Sequence, residues 1–122
     1  MIQRSIKRLS LRALVVDDEL PAMTAEGRAT RALVQELQDR SIDVVEAESA
    51  EDGMSVVVSD SAIHVVLLDW TLGRDTDHAR AKRLLEFVRS RNETIPIFLM
   101  AEREDASSIP VDVMKMVNEF IT

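Results

Sequence analysis

Residues 11–19 read LRALVVDDE, a short run dominated by Leu, Ala and Val and closed by three consecutive acids. Six residues are too few for a helix, and the run lacks alternation. That is how a strand reads when both faces of a parallel sheet are covered. Two runs of the same kind follow, 63–68 (IHVVLL) and 95–100 (IPIFLM), and the first of them is again closed by an acid, Asp69. Residues 42–47 (IDVVEA) and, more weakly, 117–121 (VNEFI) complete five strand candidates. Between them apolar residues recur at helical spacing. Leu20, Met23, Gly27, Thr30, Val34 and Leu37 form one stripe, with Pro21 suited to a first turn. Ala50, Met54, Val57 and Val58 form a second, entered through Ser49 with Asp52 three residues on, a loose capping box. Ala81, Leu84, Leu85 and Val88 form a third. Residues 102–116 hold helix formers, a Ser-Ser-Ile-Pro break and then VDVMKMV, which predicts a short or irregular fourth helix.

Strands alternating with single helices are repeated βαβ units, wound right-handedly into one parallel sheet. The expected fold is therefore α/β and doubly wound, with five strands in the order 2-1-3-4-5 and the last helix missing. Its expected extent is residues 11–122, behind a basic extension at residues 1–10.

Composition agrees with one compact domain. The chain has 122 residues, a length that suits a single core without staples. Three Phe, one Trp and no Tyr make that core aliphatic and argue against a base-stacking platform for nucleic acid. Fifteen basic against twenty-two acidic side chains give a net charge of −7, which also disfavours binding to a phosphate backbone. The charge is uneven. Arg4, Lys7, Arg8 and Arg12 precede every acid, so the remainder carries eleven bases against twenty-two acids, a net of −11. No cysteine means no disulfide framework and no thiolate metal site, in keeping with a cytoplasmic protein. Apolar runs stop far short of the ~20 residues that span a bilayer. The start MIQRSIKRLSLR is basic, but the apolar stretch behind it meets Asp17 almost at once, so no targeting segment and no membrane contact are expected.

In an open parallel sheet, functional groups gather beyond the carboxyl ends of the strands. Asp17 and Asp18 follow the first strand and Asp69 the third, and the order 2-1-3-4-5 makes those strands neighbours. Three converging carboxylates form a hard oxygen site suited to Mg²⁺. Without a cation their repulsion raises at least one pKa. Asp18 alone has a simpler reading, as a cap of the first helix.

With LVVDDE, VVLLDWTLG, IPIFLMAE and VNEFIT in place, the sequence resembles the receiver domains of two-component response regulators, whose fold is flavodoxin-like. The resemblance runs from about Leu11 to the end. It implies that Asp69 accepts a phosphoryl group from a partner histidine kinase. It further implies that Asp17 and Asp18 hold Mg²⁺ and that the Thr71 backbone carbonyl adds a ligand. Departures from the pattern are equally specific. The receiver Thr or Ser at the end of strand four is Ala101 here, and the Lys-Pro after strand five would come where the chain stops. Lys115 is too early for that role. Phe120 matches the switch aromatic and also suits a core strand. The usual Pro-Gly after the acceptor is reduced to Leu72-Gly73, with a polar insertion RDTDHAR behind it.

Residues 84–121 narrow the resemblance to the N-terminal wing domain of bacterial ornithine/lysine/arginine decarboxylases, which precedes a large pyridoxal-phosphate domain. This implies an excised regulatory domain with no catalytic residue of its own and a fused decarboxylase domain as partner. Homo-oligomer contacts are also implied. Pyridoxal phosphate would belong to the parent protein, because no lysine here has a Schiff-base setting. The alternative is a stand-alone, fully phosphorylatable receiver. A more remote one is a haloacid-dehalogenase-type phosphotransferase, since Asp69-Trp70-Thr71-Leu72 is similar to its DxDxT motif, with Thr71 in place of the second Asp. A flavin binder of the same strand order needs a phosphate loop, and DDE would repel phosphate. His64 and His78 have no partner at ligand spacing; His64 reads as a satisfied or edge histidine and His78 as a surface one. Trp70 reads as a roof over the acids or as surface packing. The N-terminal arm, with Ile2, Ile6 and Leu9 among its bases, suits an acidic partner or frays.

Overall fold

The computed structural model describes residues 10–122, so the N-terminal arm, residues 1–9, lies outside the described residues. Five strands form the sheet: β1 (Arg12–Val16), β2 (Asp43–Ala47), β3 (Val65–Asp69), β4 (Ile97–Met100) and β5 (Glu119–Ile121). They pair in parallel in the order β2-β1-β3-β4-β5, as the sequence predicts. The helices are α1 (Ala25–Asp39), α2 (Ala50–Ser59), α3 (Ala79–Arg91), α4 (Arg103–Ala106) and α5 (Val111–Met114), with a 3₁₀ turn at Leu72–Arg74. No helix follows β5 within the described residues.

Side-chain alternation along the strands feeds two cores. Leu14, Val16, Val66, Leu68, Ile97 and Leu99 point to the face covered by α2 and α3 and build the larger cluster. Ala13, Val15 and Leu67 point to the other face, where α1 supplies Val34 and the partly buried Leu33 and Leu37. Ser49 caps α2 by accepting the Asp52 amide at 3.0 Å, the first half of the predicted capping box.

Three local readings change. α1 begins at Ala25 and not near Pro21, because the Thr24 hydroxyl caps it by accepting from Gly27 N at 3.1 Å. Residues 20–24 are then loop, and Met23 leaves the stripe to stand 81% exposed. A side chain at Gly27 would collide with the carbonyls of Glu19 and Ala22, so only glycine lets α1 pass that loop so closely. Asp18 caps nothing. The weak β5 signal nonetheless yields a strand because Arg89 clamps its approach. The guanidinium donates to the carbonyls of Met116 (2.7 Å) and Ile95 (2.6 Å) and to Asn118 Oδ1 (3.1 Å). Residues 102–116 hold two four-residue helices, as short and broken as predicted.

Candidate functional site

Asp17 continues β1 by one residue, its amide donating to Ala47 O at 3.0 Å, and Asp69 ends β3. Pairing of β1 with β3 therefore brings Asp17, Asp18 and Asp69 together, and one oxygen from each lies within 4.8 Å of the others. Asp17 is 2% exposed and well supplied with donors: Thr30 Oγ1 at 2.6 Å and Glu19 N at 2.9 Å. Asp69 accepts from the backbone N and the hydroxyl of Thr71, both at 3.0 Å. Burial, reinforced by the negative charge of Asp17, still pushes the Asp69 carboxyl up to about 7, against the opposing pull of the Thr71 bonds. Asp18 Oδ1 is buried and has no hydrogen-bond partner. A buried carboxylate oxygen without a donor beside two more carboxylates is a ligand set for a hard cation, so the residues present fit Mg²⁺.

The Thr71 carbonyl accepts the Arg74 amide at 2.7 Å in the turn that follows, which leaves one lone pair for a cation. Gly73 sits there at φ 71°, where a side chain would also strike Arg80. Ala101 stands at the end of β4, buried and without a hydroxyl, its amide donating to Ile121 O at 3.0 Å. Phe120 faces the larger core and is half-buried against it.

Trp70 and His78 are corrections. Trp70 neither roofs the acids nor lies on the surface. It is 1% exposed inside the larger core, because it follows Asp69 and so points to the opposite face of the sheet. His78, predicted at the surface, stacks on it with ring centroids 4.2 Å apart and 10° between planes, and its Nδ1 donates to Trp70 O at 2.9 Å. His64 stands just before the central strand β3, so it is the satisfied histidine and not an edge one, its Nδ1 accepting from Arg12 N at 3.0 Å. Arg12, grouped by sequence with the basic start, instead ties β1 to Asp60 at 2.7 Å and to Asp43.

Sequence reasoning missed two features. Thr30 was legible only as a member of the α1 stripe, yet its hydroxyl is what holds Asp17. A groove of about 410 Å³ also opens from the acidic crevice between α1 and the ends of β4 and β5. Glu26 and Glu102 stand at its mouth, far apart in sequence and without a motif to signal them.

A 2-1-3-4-5 parallel sheet with acids clustered beyond β1 and β3 defines a receiver-type α/β domain. Solved structures of that class are similar over nearly the whole chain. A response regulator receiver domain protein from Clostridium thermocellum matches with TM-score 0.71 and 15% identity, covering 91% of this chain and 80% of its own. A response regulator receiver protein from Pseudomonas putida matches with TM-score 0.68 and 24% identity, covering 94% and 87%. The chain belongs to the Orn/Lys/Arg decarboxylase N-terminal domain family, which matches residues 25–122. The biodegradative arginine decarboxylase of Escherichia coli K12 is 26% identical over 112 residues, 90% of this chain but 15% of the relative's length. Among the described residues no helix is long and apolar enough to cross a membrane.

Proposed function

We propose that this chain is the regulatory, receiver-like domain of an Orn/Lys/Arg decarboxylase-type protein, and that its acidic crevice binds Mg²⁺ beside Asp69 as a phosphoryl acceptor. The observation that carries the reading is Asp18 Oδ1, buried without a donor among three carboxylates. The domain is not an enzyme by itself in this reading, and any pyridoxal phosphate belongs to a fused decarboxylase domain. That domain, a further copy of this one, or a histidine kinase is the protein partner. The setting is cytoplasmic.

Phosphorylation would proceed by attack of an Asp69 carboxylate oxygen on the phosphorus of a phosphohistidine. The P–N bond breaks with its electron pair left on the imidazole, and an acyl phosphate forms. A cation in the crevice supplies neutralisation of the crowded oxygens. Asp17 and Asp18 would hold that cation, and Thr71 orients Asp69. Asp69 must be ionised to attack; burial and then Asp17 oppose that, and a bound cation would offset the repulsion.

Titration with millimolar Mg²⁺ is expected to shift the amide resonances of residues 17–19 and 69–71, and Asp18→Asn to weaken the response. Unchanged spectra would sink the metal reading. A phosphoryl mimic such as beryllium fluoride tests the switch. Ala101 offers no hydroxyl, which removes a charge-assisted hydrogen bond of ~1.5–3 kcal/mol from the modified state. Shifts confined to the neighbourhood of Asp17 and Asp69 are therefore expected. Large changes spreading through β4 and β5 to Phe120 would instead mark a competent stand-alone receiver.

A further inference from the structure

Glu19 and Arg74 stand 55 residues apart in sequence, yet Arg74 Nη2 donates to Glu19 Oε1 at 2.8 Å. The pair bridges the two loops that carry the acids. Glu19 follows Asp17 and Asp18, and its amide donates to Asp17 Oδ1 at 2.9 Å. Arg74 closes the turn that begins at Thr71, its amide donating to Thr71 O at 2.7 Å, and Thr71 in turn donates to Asp69 Oδ1. Each end of the pair is thus tied through the backbone to a carboxylate of the crevice. The ends are unequal. The Glu19 side chain is 14% exposed and has the Thr24 hydroxyl at 3.5 Å, whereas that of Arg74 is 71% exposed. Arg74 also holds φ at 58° directly after Gly73 at 71°, a left-handed backbone uncommon for a residue with a side chain. Neighbouring guanidiniums are engaged elsewhere. Arg28 and Arg31 bond the carbonyls of Met23, Leu20 and Ala22, and Arg80 bonds Gly73 O.

We propose that Arg74 is a phosphoryl ligand of this crevice: Glu19 holds its guanidinium in the free protein, and a phosphoryl group on Asp69 takes it over. The inference rests on the reading of Asp69 as acceptor and adds the residue that would bind the modified state. Charge favours the exchange. A mostly exposed ion pair is worth little. A phosphoryl group offers the guanidinium fork two oxygens and more negative charge than one carboxylate does. Ala101 has no hydroxyl to donate at the end of β4, so a donor must come from the rim instead. Arg74 lies on the loop that follows Asp69, and a contact made there holds the phosphoryl group without pulling on β4 or β5.

Beryllium fluoride with saturating Mg²⁺ is the probe, its binding read from the Thr71 amide. The side-chain Nε–H resonance of Arg74, assigned by its loss in Arg74→Gln, is expected to shift. Arg74→Gln should weaken beryllium fluoride about tenfold or more, as the loss of a hydrogen bond to a charged group does, and leave the Mg²⁺ midpoint unchanged. Glu19→Gln frees the guanidinium and should tighten binding, a gain that disappears when Arg74 is already Gln. Equal affinity in wild type and Arg74→Gln, an unmoved Arg74 resonance, or a gain that survives in the double variant would overturn the role of Arg74 and leave the acceptor reading standing. Loss of the Mg²⁺ response in Arg74→Gln would overturn it too, since the side chain would then be shaping the cation site. If the wild type takes up no beryllium fluoride, the acceptor reading fails and this inference fails with it.

Discussion

In the absence of divalent cations, the protein is expected to lose stability as the pH rises from about 4 to about 7, a trend that Asp69→Asn abolishes. Asp69 has its folded pKa raised to about 7 by burial and by Asp17, while the unfolded chain titrates near the ordinary aspartate value of 3.8. Between those values the native state binds the extra proton. The stabilisation is thus fully present below the unfolded pKa and gone once the pH passes the folded one. A shift of this size corresponds to about 4 kcal/mol at its limit, and partial solvent access reduces it to a few kcal/mol. Asn at position 69 keeps an oxygen for the Thr71 amide and removes the charge, so the variant should be the more stable protein near pH 8. Urea midpoints of the two proteins across this range decide the matter. Parallel curves would show that no carboxyl here titrates in the window. Adding Mg²⁺ near pH 8 should stabilise the wild type more than Asp69→Asn, which keeps Asp17 and Asp18 but lacks the third carboxylate.

Much of this arrangement is legible in the sequence, for a simple reason. Runs such as LRALVV and IHVVLL are read by composition alone, and acids that end parallel strands must lie at one edge of the sheet. The strand order then places Asp17 beside Asp69 with no further information. What stays hidden is what depends on a single tertiary contact. The start of α1 turns on Thr24 and on the passage at Gly27, and Pro21 imitates an earlier start. The Thr30–Asp17 bond joins residues thirteen apart, and the Glu26–Glu102 pair has no periodic signature at all. Trp70 is hidden because adjacency to Asp69 in sequence suggests adjacency in space. In a strand the next side chain points the other way.

That alternation makes Trp70 the most consequential single side chain of the larger core. Trp70→Ala is expected to cost about 3–5 kcal/mol, a large share of the about 5–15 kcal/mol that holds a domain together. The indole is among the largest fully buried side chains and belongs to the same core cluster as Leu72 and Ala101 while stacking on His78. His78→Ala should cost less, since it forfeits the stack, worth ~0.5–1.5 kcal/mol, and one hydrogen bond. Trp70→Phe should fall between them and closer to wild type than lost volume implies. The indole Nε1 has no hydrogen-bond partner, so a phenyl ring removes a buried donor that the fold leaves unsatisfied. Urea denaturation with an unchanged slope reads all three. If Trp70→Ala shifted the midpoint no more than His78→Ala, the ring would be filling space that its neighbours can close over. The backbone at this point is fixed separately, Trp70 N donating to Met100 O at 2.9 Å. Trp70→Phe should therefore leave the Mg²⁺ response of the crevice intact, because strand pairing, and not the indole, sets where Asp69 stands.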